Sequence, residues 1–395
     1  MIKKDETMKI KILHIADSIN GGGAEAVLRD TIKAANNLGF ENKLFISNGK
    51  TSPLSYIFSF NNFFKLYKNL SVIKPDIIHL QNYYHYLSPS ILFAIKRYKK
   101  KNNCKIIFTA HDYHLICPNS GFQHFRNHKR INMNEEVKEQ NIFFRYDHRS
   151  ISHSLLKILQ FYINYKIFHL QEVIDVIISP SNYLIKLFRN YGIKQNTYLI
   201  RNPIDFSSYI RNDKDNYTYP TASNVTTKFV FMGRVTEEKG ISAFIDLLNE
   251  NSAGNYELHI FGEGEELHLL KEKGLRRGVK LFFHGFKKRE ELPTLITLYD
   301  IFVLPSLWVE NAPLSIIESA KAGLPILVPE YGGMKEMAAL TKYYAFFSYQ
   351  NSDLIYEFDN KIENLKNNTG KNYILHEQEF MFCTFQKKLK EVYMS

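Results

Sequence analysis

The chain has 395 residues, of which 45% are hydrophobic and 23% charged, and its formal net charge is +11. This length suits two domains of roughly 200 residues, and the composition excludes a disordered or membrane-embedded protein. Cys104, Cys117 and Cys383 have unrelated spacings that give no disulfide framework. The first residues alternate like a strand rather than a signal peptide, and no apolar stretch reaches the ~20 residues of a transmembrane helix. We therefore expect a cytoplasmic protein.

The positive charge is concentrated in the first half of the chain. Residues 1–205 contain 29 Lys and Arg against 15 Asp and Glu, a net +14, whereas the remainder contains 22 against 25, a net −3. A basic half can face an anionic membrane, an anionic substrate or nucleic acid, or it can be a solvated surface. No spacing typical of a nucleic-acid-binding module is present, so we expect no nucleic-acid partner.

Apolar runs alternate with helical patterns in residues 1–205, which is typical of β-α-β units and a parallel sheet. Helices are predicted at 24–37 and 182–191, each followed by a glycine that can cap it, Gly39 or Gly192. Residues 113–150 are polar and rich in His, which favours a long loop or lid. Strands are predicted at 9–16, 42–46, 76–80, 105–110, 173–178 and 197–200.

The alternation restarts after a linker-like stretch at 202–227. An amphipathic pattern at 377–393 predicts a final helix. Two doubly wound α/β domains, 1–205 and 206–375, followed by a C-terminal helix at 376–395, are the simplest architecture. Strands of the second domain are predicted at 228–232, 256–261, 279–284, 301–304 and 325–328.

The strongest motif is LPSLWVENAPLSIIE at 304–318, which follows a predicted strand. It contains two glutamates eight residues apart, Glu310 and Glu318. A carboxylate can accept both hydroxyls of a sugar or a ribose at once. Either glutamate alone would indicate only a solvated surface acid.

The same motif predicts the start of a helix. Asn311 can cap it, Pro313 suits its first turn, and Gly323 ends it. The N–H groups of Leu314 and Ser315 would then be free to bind a diphosphate at the positive end of the helix dipole.

Two further turns follow predicted strands. GRVTEEKG at 233–240 places Arg234 and Lys239 five apart, so that both cations can hold one diphosphate. GGGAE at 21–25 offers Gly22 and Gly23 for close backbone approach to a phosphate. Because GxGxxG is absent, a nicotinamide dehydrogenase is not favoured. A flexible surface loop is the alternative for the glycines.

In their order along most of the chain, these motifs resemble the GT-B glycosyltransferases of the large retaining family 4, also called group 1. The resemblance implies two Rossmann-like domains facing each other across a cleft, with the C-terminal helix packing back toward the N-terminal domain. The variant HDYxxxCP at 111–118 is similar to enzymes of surface polysaccharide assembly. The supporting motifs are FGEGE at 261–265, HGF at 284–286, RNPID at 201–205 and YGG at 331–333.

The resemblance implies roles for four donor-site residues. Glu310 would contact the hydroxyls of the donor sugar, and Glu318 those of the ribose. Arg234 and Lys239 would hold the diphosphate and stabilise its charge as it leaves. Where relatives often have glycine after the first glutamate, this chain has Asn311, so the backbone beside the donor hydroxyls departs from the family pattern.

The remaining implied donor contacts come from backbone. Gly22, Gly23 and the Leu314 amide would complete the phosphate cradle, and Gly285 and Phe286 would line the pocket for the base. The donor would be a UDP- or GDP-linked sugar, with no separate cofactor. No Asp-x-Asp motif follows a strand, so no divalent metal is expected.

The resemblance also places His111 near the donor sugar, where it would orient the sugar or the acceptor, with Asp112 and Tyr113 on the acceptor side. A buried, structural histidine is the ordinary alternative. A zinc site is a further alternative, because five His and Cys residues in this segment have spacings that could ligate zinc. These are His111, His114, Cys117, His124 and His128.

Family resemblance favours front-face substitution with retention, since no enzymic nucleophile is apparent. The acceptor would be a glycan or a polyprenyl-diphosphate-linked glycan, and basic, aromatic helices predicted at 56–70 and 155–168 could contact the inner membrane face. Core-facing helices are the alternative. A UDP-sugar epimerase and a non-catalytic nucleotide-sugar-binding scaffold are the rival functions.

Overall fold

The computed structural model describes residues 9–47, 49, 52–127, 129–133, 135–136, 141–207, 209, 226–250, 252–288, 290–349 and 355–395. The chain divides into two compact units, one formed by Met1–Pro203 with Glu379–Ser395 and the other by Ile204–Gln378. The first eight residues, most of the predicted linker at 202–227, and His128 lie outside the described residues.

The first unit is built on a six-stranded parallel sheet and a separate hairpin. Its strands are β1 (Lys11–Ala16), β2 (Glu41–Ile46), β3 (Ile77–Leu80), β4 (Lys105–Thr109), β5 (Gln123–Arg126), β6 (Lys129–Asn132), β7 (Val176–Ser179) and β8 (Asn196–Leu199). The sheet order is β2-β1-β3-β4-β7-β8, while β5 and β6 pair antiparallel. Its helices are α1 (Gly23–Asn37), α2 (Pro53–Ile57), α3 (Phe60–Ile73), α4 (Ser90–Lys99), α5 (Ile151–Phe161) and α6 (Asn182–Asn190).

The second unit repeats this plan with sheet order β11-β10-β9-β12-β13-β14. Its strands are β9 (Thr227–Met232), β10 (Tyr256–Phe261), β11 (Val279–Gly285), β12 (Ile301–Val303), β13 (Ile326–Pro329) and β14 (Tyr344–Phe347). Its helices are α7 (Ile241–Glu250), α8 (Leu267–Lys271), α9 (Leu292–Ile296), α10 (Leu314–Lys321), α11 (Gly332–Ala339) and α12 (Ile355–Lys366).

The central strands are largely apolar, as expected for parallel strands that are buried on both faces. All four residues of β3 are buried, as are all four of β7 and of β13. Neighbouring strands in both sheets pair in parallel, so each connection crosses over through a helix or a long loop. The prediction of two doubly wound α/β domains is confirmed.

The last helix, α13 (Phe382–Met394), belongs to the first unit. Its residues Phe385, Leu389 and Val392 enter the same apolar cluster as Ile12 of β1. The Tyr393 hydroxyl lies 2.8 Å from His79 Nδ1 in β3, which gives a buried phenol a polar partner. The predicted packing of the C-terminal helix on the N-terminal domain is confirmed.

Residues 113–150 are more ordered than the predicted loop or lid. They contain the hairpin of β5 and β6, which turns at Asn127 with φ +48°. Residues 113–117 are buried, so this part is core rather than a solvent-facing lid. The polar composition was misleading because several of these polar side chains, among them His114, Asn119 and His124, are buried within the unit.

Of the two predicted basic, aromatic helices, the first is interrupted and the second is continuous but changes its helical form. The first breaks between α2 and α3, because Phe58 is extended and Ser59 caps the next helix. The second begins as α5 and continues as a π-helical turn at Tyr162–Ile167. Among the helices in the described part of the chain, none combines the length and apolarity needed to cross a bilayer.

Candidate functional site

Two loops of the second unit meet at the carboxyl end of its sheet. One follows β9 and the other follows the adjacent strand β12. Lys239 Nζ lies 2.5 Å from Glu310 Oε1, and the Ser306 hydroxyl donates to the same oxygen over 2.9 Å. Lys239 and Glu310, which are 71 residues apart in sequence, are therefore brought together.

Glu310 is a buried carboxylate with an exposed fraction of 8%. Burial by itself raises the pKa of Glu310, but the charge of Lys239 and hydrogen bonds from Lys239 and Ser306 outweigh it, so the pKa lies below its usual value. The group is therefore ionised at neutral pH. The stability that this pairing contributes is present above the unfolded pKa and is lost as the pH falls through the folded pKa.

The Glu310 loop is held by the segment that follows β13. The Gly333 N–H donates to the Glu310 carbonyl over 2.7 Å, and a Cβ on Gly333 would lie 1.5 Å from the Asn311 carbonyl oxygen. The Tyr331 hydroxyl donates to the Ser306 carbonyl over 2.5 Å. The motif YGG thus holds the Glu310 loop in place through hydrogen bonds to its backbone. The sequence motifs had not predicted this role. A glycine pair directly after a strand was the available signal.

Arg234 lies in the same turn as Lys239 but points to solvent. Its side chain is 70% exposed and lies 3.5 Å from Glu238 Oε1. The turn itself is fixed by close backbone packing, since a Cβ on Gly262 would lie 1.8 Å from the Gly233 carbonyl oxygen. The motif FGEGE therefore shapes this turn.

Helix α10 starts later than predicted. Its first residue is Leu314, and Pro313 occupies the N-cap position with extended backbone at φ −69° and ψ 109°. Asn311 is therefore not the cap, and Pro313 is not in the first turn. The reason is steric, because a residue that precedes proline avoids the helical region and Ala312 cannot begin the helix. The prediction of Asn311 as a helix cap is wrong.

The rest of α10 lies as the motif predicts. Glu310 precedes the helix and Glu318 is its fifth residue, on a buried position. The Leu314 and Ser315 N–H groups belong to the first turn, where no intrahelical acceptor exists for them. Gly285 ends β11 with φ +66°, and the neighbouring Phe286 ring is 69% exposed.

In the first unit, the predicted residues 111–113 follow β4. His111 Nε2 lies 2.6 Å from Gln81 Oε1, and burial holds the pKa of His111 below its usual value. The Asp112 carboxylate accepts from the Tyr84 hydroxyl, and burial raises the pKa of Asp112. Tyr113 is buried against Phe122, with ring centroids 5.2 Å apart.

Gly22 and Gly23 form the N-terminal end of α1. A Cβ on either residue would meet nothing within 4 Å. Packing within the described part of the unit therefore does not require glycine at either position.

Asp17, which directly follows β1, is a buried acidic residue to which the sequence patterns assigned no role. Its carboxylate accepts three backbone N–H groups, from His85 at 2.8 Å, Tyr86 at 2.9 Å and Leu87 at 2.8 Å. Its exposed fraction is 6%, and burial raises its pKa to about 6. An acidic residue at the carboxyl end of a strand was the available signal, and Asp17 fixes the turn that follows β3.

Asp17→Asn should lower the free energy of unfolding in a pH-dependent way. The amide replaces one acceptor by a donor that faces the His85 N–H, which costs about 1–3 kcal/mol. Because the folded pKa of Asp17 is raised to about 6, its linked stability is present below the unfolded pKa and is lost as the pH rises through 6. The difference in unfolding free energy between wild type and variant should therefore become smaller as the pH rises from about 4 to about 7.

Urea unfolding at several pH values measures this difference, with Asp246→Asn in the second unit as the control for loss of an exposed carboxylate. If the difference in unfolding free energy between wild type and Asp17→Asn stays constant with pH, Asp17 does not act as a buried carboxyl group with a raised pKa.

The described residues give no support to the zinc alternative. Among them, no three His, Cys, Asp or Glu side chains are grouped so that they could hold a metal ion. The His114 ring stacks on Tyr84 at 3.7 Å, and the His124 ring stacks on Phe144 at 4.1 Å. Aromatic packing thus accounts for both rings.

Comparison with known families gives two matches that together span most of the chain. Residues 219–375 match the family described as glycosyl transferases group 1, and residues 21–208 match glycosyltransferase family 4.

Individual proteins show the same relationship. A 42.6 kDa protein of the cps region of Klebsiella pneumoniae is 27% identical over 305 residues, covering 75% of this chain and 70% of its own. The UDP-Gal:alpha-D-GlcNAc-diphosphoundecaprenol alpha-1,3-galactosyltransferase of Escherichia coli is 30% identical over 112 residues, or 27% of this chain and 28% of its own. The solved structure of Anabaena HepE with UDP-glucose superimposes with a TM-score of 0.58 at 17% identity, covering 97% of this chain and 99% of its own. That likeness shows the GT-B fold.

Proposed function

The chain belongs to the group 1 glycosyltransferases of family 4, with the GT-B fold, and from that membership we propose that it moves a sugar from a nucleotide-diphosphate sugar to a glycan hydroxyl with retention of configuration. The acceptor is a glycan or a lipid-linked glycan used in surface polysaccharide synthesis. The donor is UDP- or GDP-linked, and no metal takes part.

The observation that carries this proposal is the meeting of Lys239 and Glu310 beside the start of α10. Ligands of doubly wound folds bind at the carboxyl ends of the strands, where both loops lie. Glu310 accepts hydroxyls of the donor sugar, and Arg234 and Lys239 bind the diphosphate together with the Leu314 and Ser315 amides. An arriving diphosphate competes with Glu310 for Lys239, which frees carboxylate lone pairs for the sugar.

The other proposed contacts are with the remaining parts of the donor and with the acceptor. Glu318 accepts the ribose hydroxyls, the backbone of Gly285 with Phe286 borders the base, and the Asn311 backbone lies beside the sugar. By the family resemblance alone, the Gly22 and Gly23 N–H groups are assigned to the binding of donor phosphate. Neutral His111, with Asp112 and Tyr113 behind it, orients the sugar and the acceptor hydroxyl.

The relatives support the choice of substrates. The Escherichia coli protein acts on a diphosphoundecaprenol-linked sugar with UDP-Gal as donor, and the Anabaena protein binds UDP-glucose. The cps-region relative is consistent with a role in polysaccharide assembly. The basic first half of this chain suits an anionic acceptor at the inner face of the membrane, where the protein would act peripherally.

The reaction is a front-face substitution. The bond between the anomeric carbon and the diphosphate oxygen breaks, and the acceptor oxygen bonds to that carbon on the same face. The departing diphosphate oxygen takes the acceptor proton, so no protein base or nucleophile is needed. Catalysis then consists of positioning and of stabilising the leaving group's charge, which Arg234 and Lys239 supply.

Glu318→Gln should weaken nucleotide binding about 30-fold, because it removes the charged acceptor for two ribose hydroxyls. Calorimetric titration of UDP and GDP into wild type and variant, without added metal, measures the effect, and Glu330→Gln is the control for an exposed glutamate. Tight binding of one nucleotide identifies the base. Binding of neither would contradict the proposed donor site and, with it, the transferase function.

The stereochemistry has its own test. The proton NMR spectrum of the first product formed should show the anomeric configuration of the donor. An inverted product would contradict front-face substitution and would require a protein base.

A further inference from the structure

A cavity of about 570 Å³ lies in the first unit, outside the donor site described above. Helices α2 and α5 form two of its sides, and the turn after β3 forms another. Tyr56, Tyr86, Arg149, Leu156 and Lys157 line it. This volume lies within the range of small-molecule sites, about 300–1,000 Å³, and has room for a diphosphate together with a sugar. We call it the α2–α5 cavity.

The α2–α5 cavity is cationic. Arg149 Nη2 lies 2.9 Å and Lys157 Nζ 3.0 Å from Asp147 Oδ2, and that carboxylate is almost fully buried. Two cations thus share one anion, which leaves one net positive charge at the wall. Arg149 uses Nε and Nη2 on Asp147, so other N–H groups of its five-donor fork remain for a ligand. An anionic group complements this wall.

The walls of the cavity are fixed in place. The buried Gln160 amide of α5 donates to the Tyr56 carbonyl over 2.6 Å and to the Tyr84 carbonyl over 2.8 Å. Asp17 holds the turn that carries Tyr86, as described above. The cavity therefore exists before any ligand arrives, which lowers the cost of ordering it on binding.

The side of α5 that faces solvent is apolar. Ile151, Leu155 and Leu159 are exposed and recur every fourth residue, so they form one stripe along the helix. Leu54 on the adjacent helix α2 is 82% exposed. A face of this kind next to a cationic cavity fits the interface of a membrane, where apolar side chains enter the acyl boundary and cations meet phosphates.

We propose that the α2–α5 cavity binds the diphosphate-bearing head group of a lipid-linked acceptor, while the apolar stripe of α5 contacts the membrane that holds that lipid. This inference rests on the proposed function, because it takes that lipid to be the acceptor. Arg149 and Lys157 bind the diphosphate oxygens, and the cavity admits the first sugar. The lipid chain stays outside, in the bilayer.

Vesicle flotation of the whole chain tests the proposal with three probes. These are plain phosphatidylcholine, phosphatidylcholine doped with farnesyl diphosphate, and phosphatidylcholine doped with phosphatidylserine to the same surface charge. Each probe is tested without UDP and with excess UDP, which occupies the donor site. The wild type should bind the farnesyl diphosphate vesicles about tenfold more tightly than the phosphatidylserine vesicles.

Arg149→Gln and Lys157→Gln should each reduce that preference about tenfold, since each leaves the other cation on Asp147 and removes one charge-assisted contact. Leu155→Ser should weaken binding to all three vesicles. Lys186→Gln on α6 and Leu269→Ser in the second unit are the matched controls, because both side chains are exposed away from the cavity. Circular dichroism of each variant checks its fold.

Equal binding to the farnesyl diphosphate and phosphatidylserine vesicles would overturn the head-group site, as would a preference that Arg149→Gln and Lys157→Gln leave unchanged. Binding of farnesyl diphosphate that UDP displaces would assign it to the donor site and would also overturn the proposal. These outcomes are separate from failure of the proposed function, which would appear as absent UDP and GDP binding in calorimetry while the vesicle preference persists.

Discussion

Glu310→Gln is expected to reduce kcat about a thousandfold, while the affinity for UDP or GDP changes no more than a few-fold. The glutamine has the same shape but lacks the charge that pairs with Lys239, whose Nζ lies 2.5 Å from Glu310 Oε1. The donor sugar then loses its charged acceptor at the stage when the anomeric carbon becomes electron-poor. The nucleotide keeps its own contacts, so binding and turnover separate.

Single-turnover kinetics together with calorimetry measure both quantities. Glu330→Gln is the matched control, since Glu330 is an exposed glutamate paired with Lys335 at 2.9 Å. A variant that keeps wild-type kcat would show that Glu310 does not contact the reacting sugar. Equal losses in kcat and in nucleotide affinity would indicate a disordered loop instead of a lost sugar contact.

Gly333→Ala should lower both stability and activity, although residue 333 contacts no substrate in the proposed pose. Its Cβ would lie 1.5 Å from the Asn311 carbonyl oxygen and 2.8 Å from the Glu310 carbonyl oxygen, so the loop must move. The displaced loop also loses the hydrogen bond from the Gly333 N–H to the Glu310 carbonyl, now 2.7 Å long. We expect a loss of about 3 kcal/mol in unfolding free energy and at least a hundredfold loss of kcat.

Gly274→Ala is the control for this substitution, because a Cβ there meets nothing within 4 Å. Urea unfolding and single-turnover kinetics at the same temperature report the two effects. Wild-type values for Gly333→Ala would mean that the 309–311 backbone adapts freely, and the support that YGG gives to Glu310 would then be wrong.

The alternation of apolar runs and helical patterns was sufficient to predict the two parallel sheets. Buried strands such as β12 and β13 are short continuous apolar segments, so the signal that predicts them is local in the sequence. The pattern at 377–393 likewise predicted a helix with Phe380, Phe385, Leu389 and Val392 on one face. The last three pack in the core from α13, whereas Phe380 is buried in a short 3-10 turn before that helix. The segments 21–25, 111–113, 233–240 and 304–318 were predicted to follow strands, and each of them lies after a strand of the two sheets.

Local patterns were less informative where apolar and polar residues mix. The predicted loop at 113–150 contains the hairpin of β5 and β6, and the predicted helix at 56–70 breaks at Phe58. The helix α4 and the strand β14 were not predicted. The burial of polar side chains and the points where helices break depend on residues that are distant in sequence. The hydrophobic periodicity of a short segment carries no information about those residues.

Within the site, the sequence determined which residue types are present, and the tertiary structure decided which of them meet. The paired glutamates and the GRVTEEKG turn are visible as motifs, but the contact between Lys239 and Glu310 depends on β9 and β12 being neighbours. The support of Glu310 by Gly333 and the three N–H groups on Asp17 join segments that are not adjacent in sequence. The pairing of Arg149 and Lys157 on a buried Asp147 also requires the folded α5. Electrostatics and steric fit act over distances in space, and only the packing of the sheets and helices sets those distances.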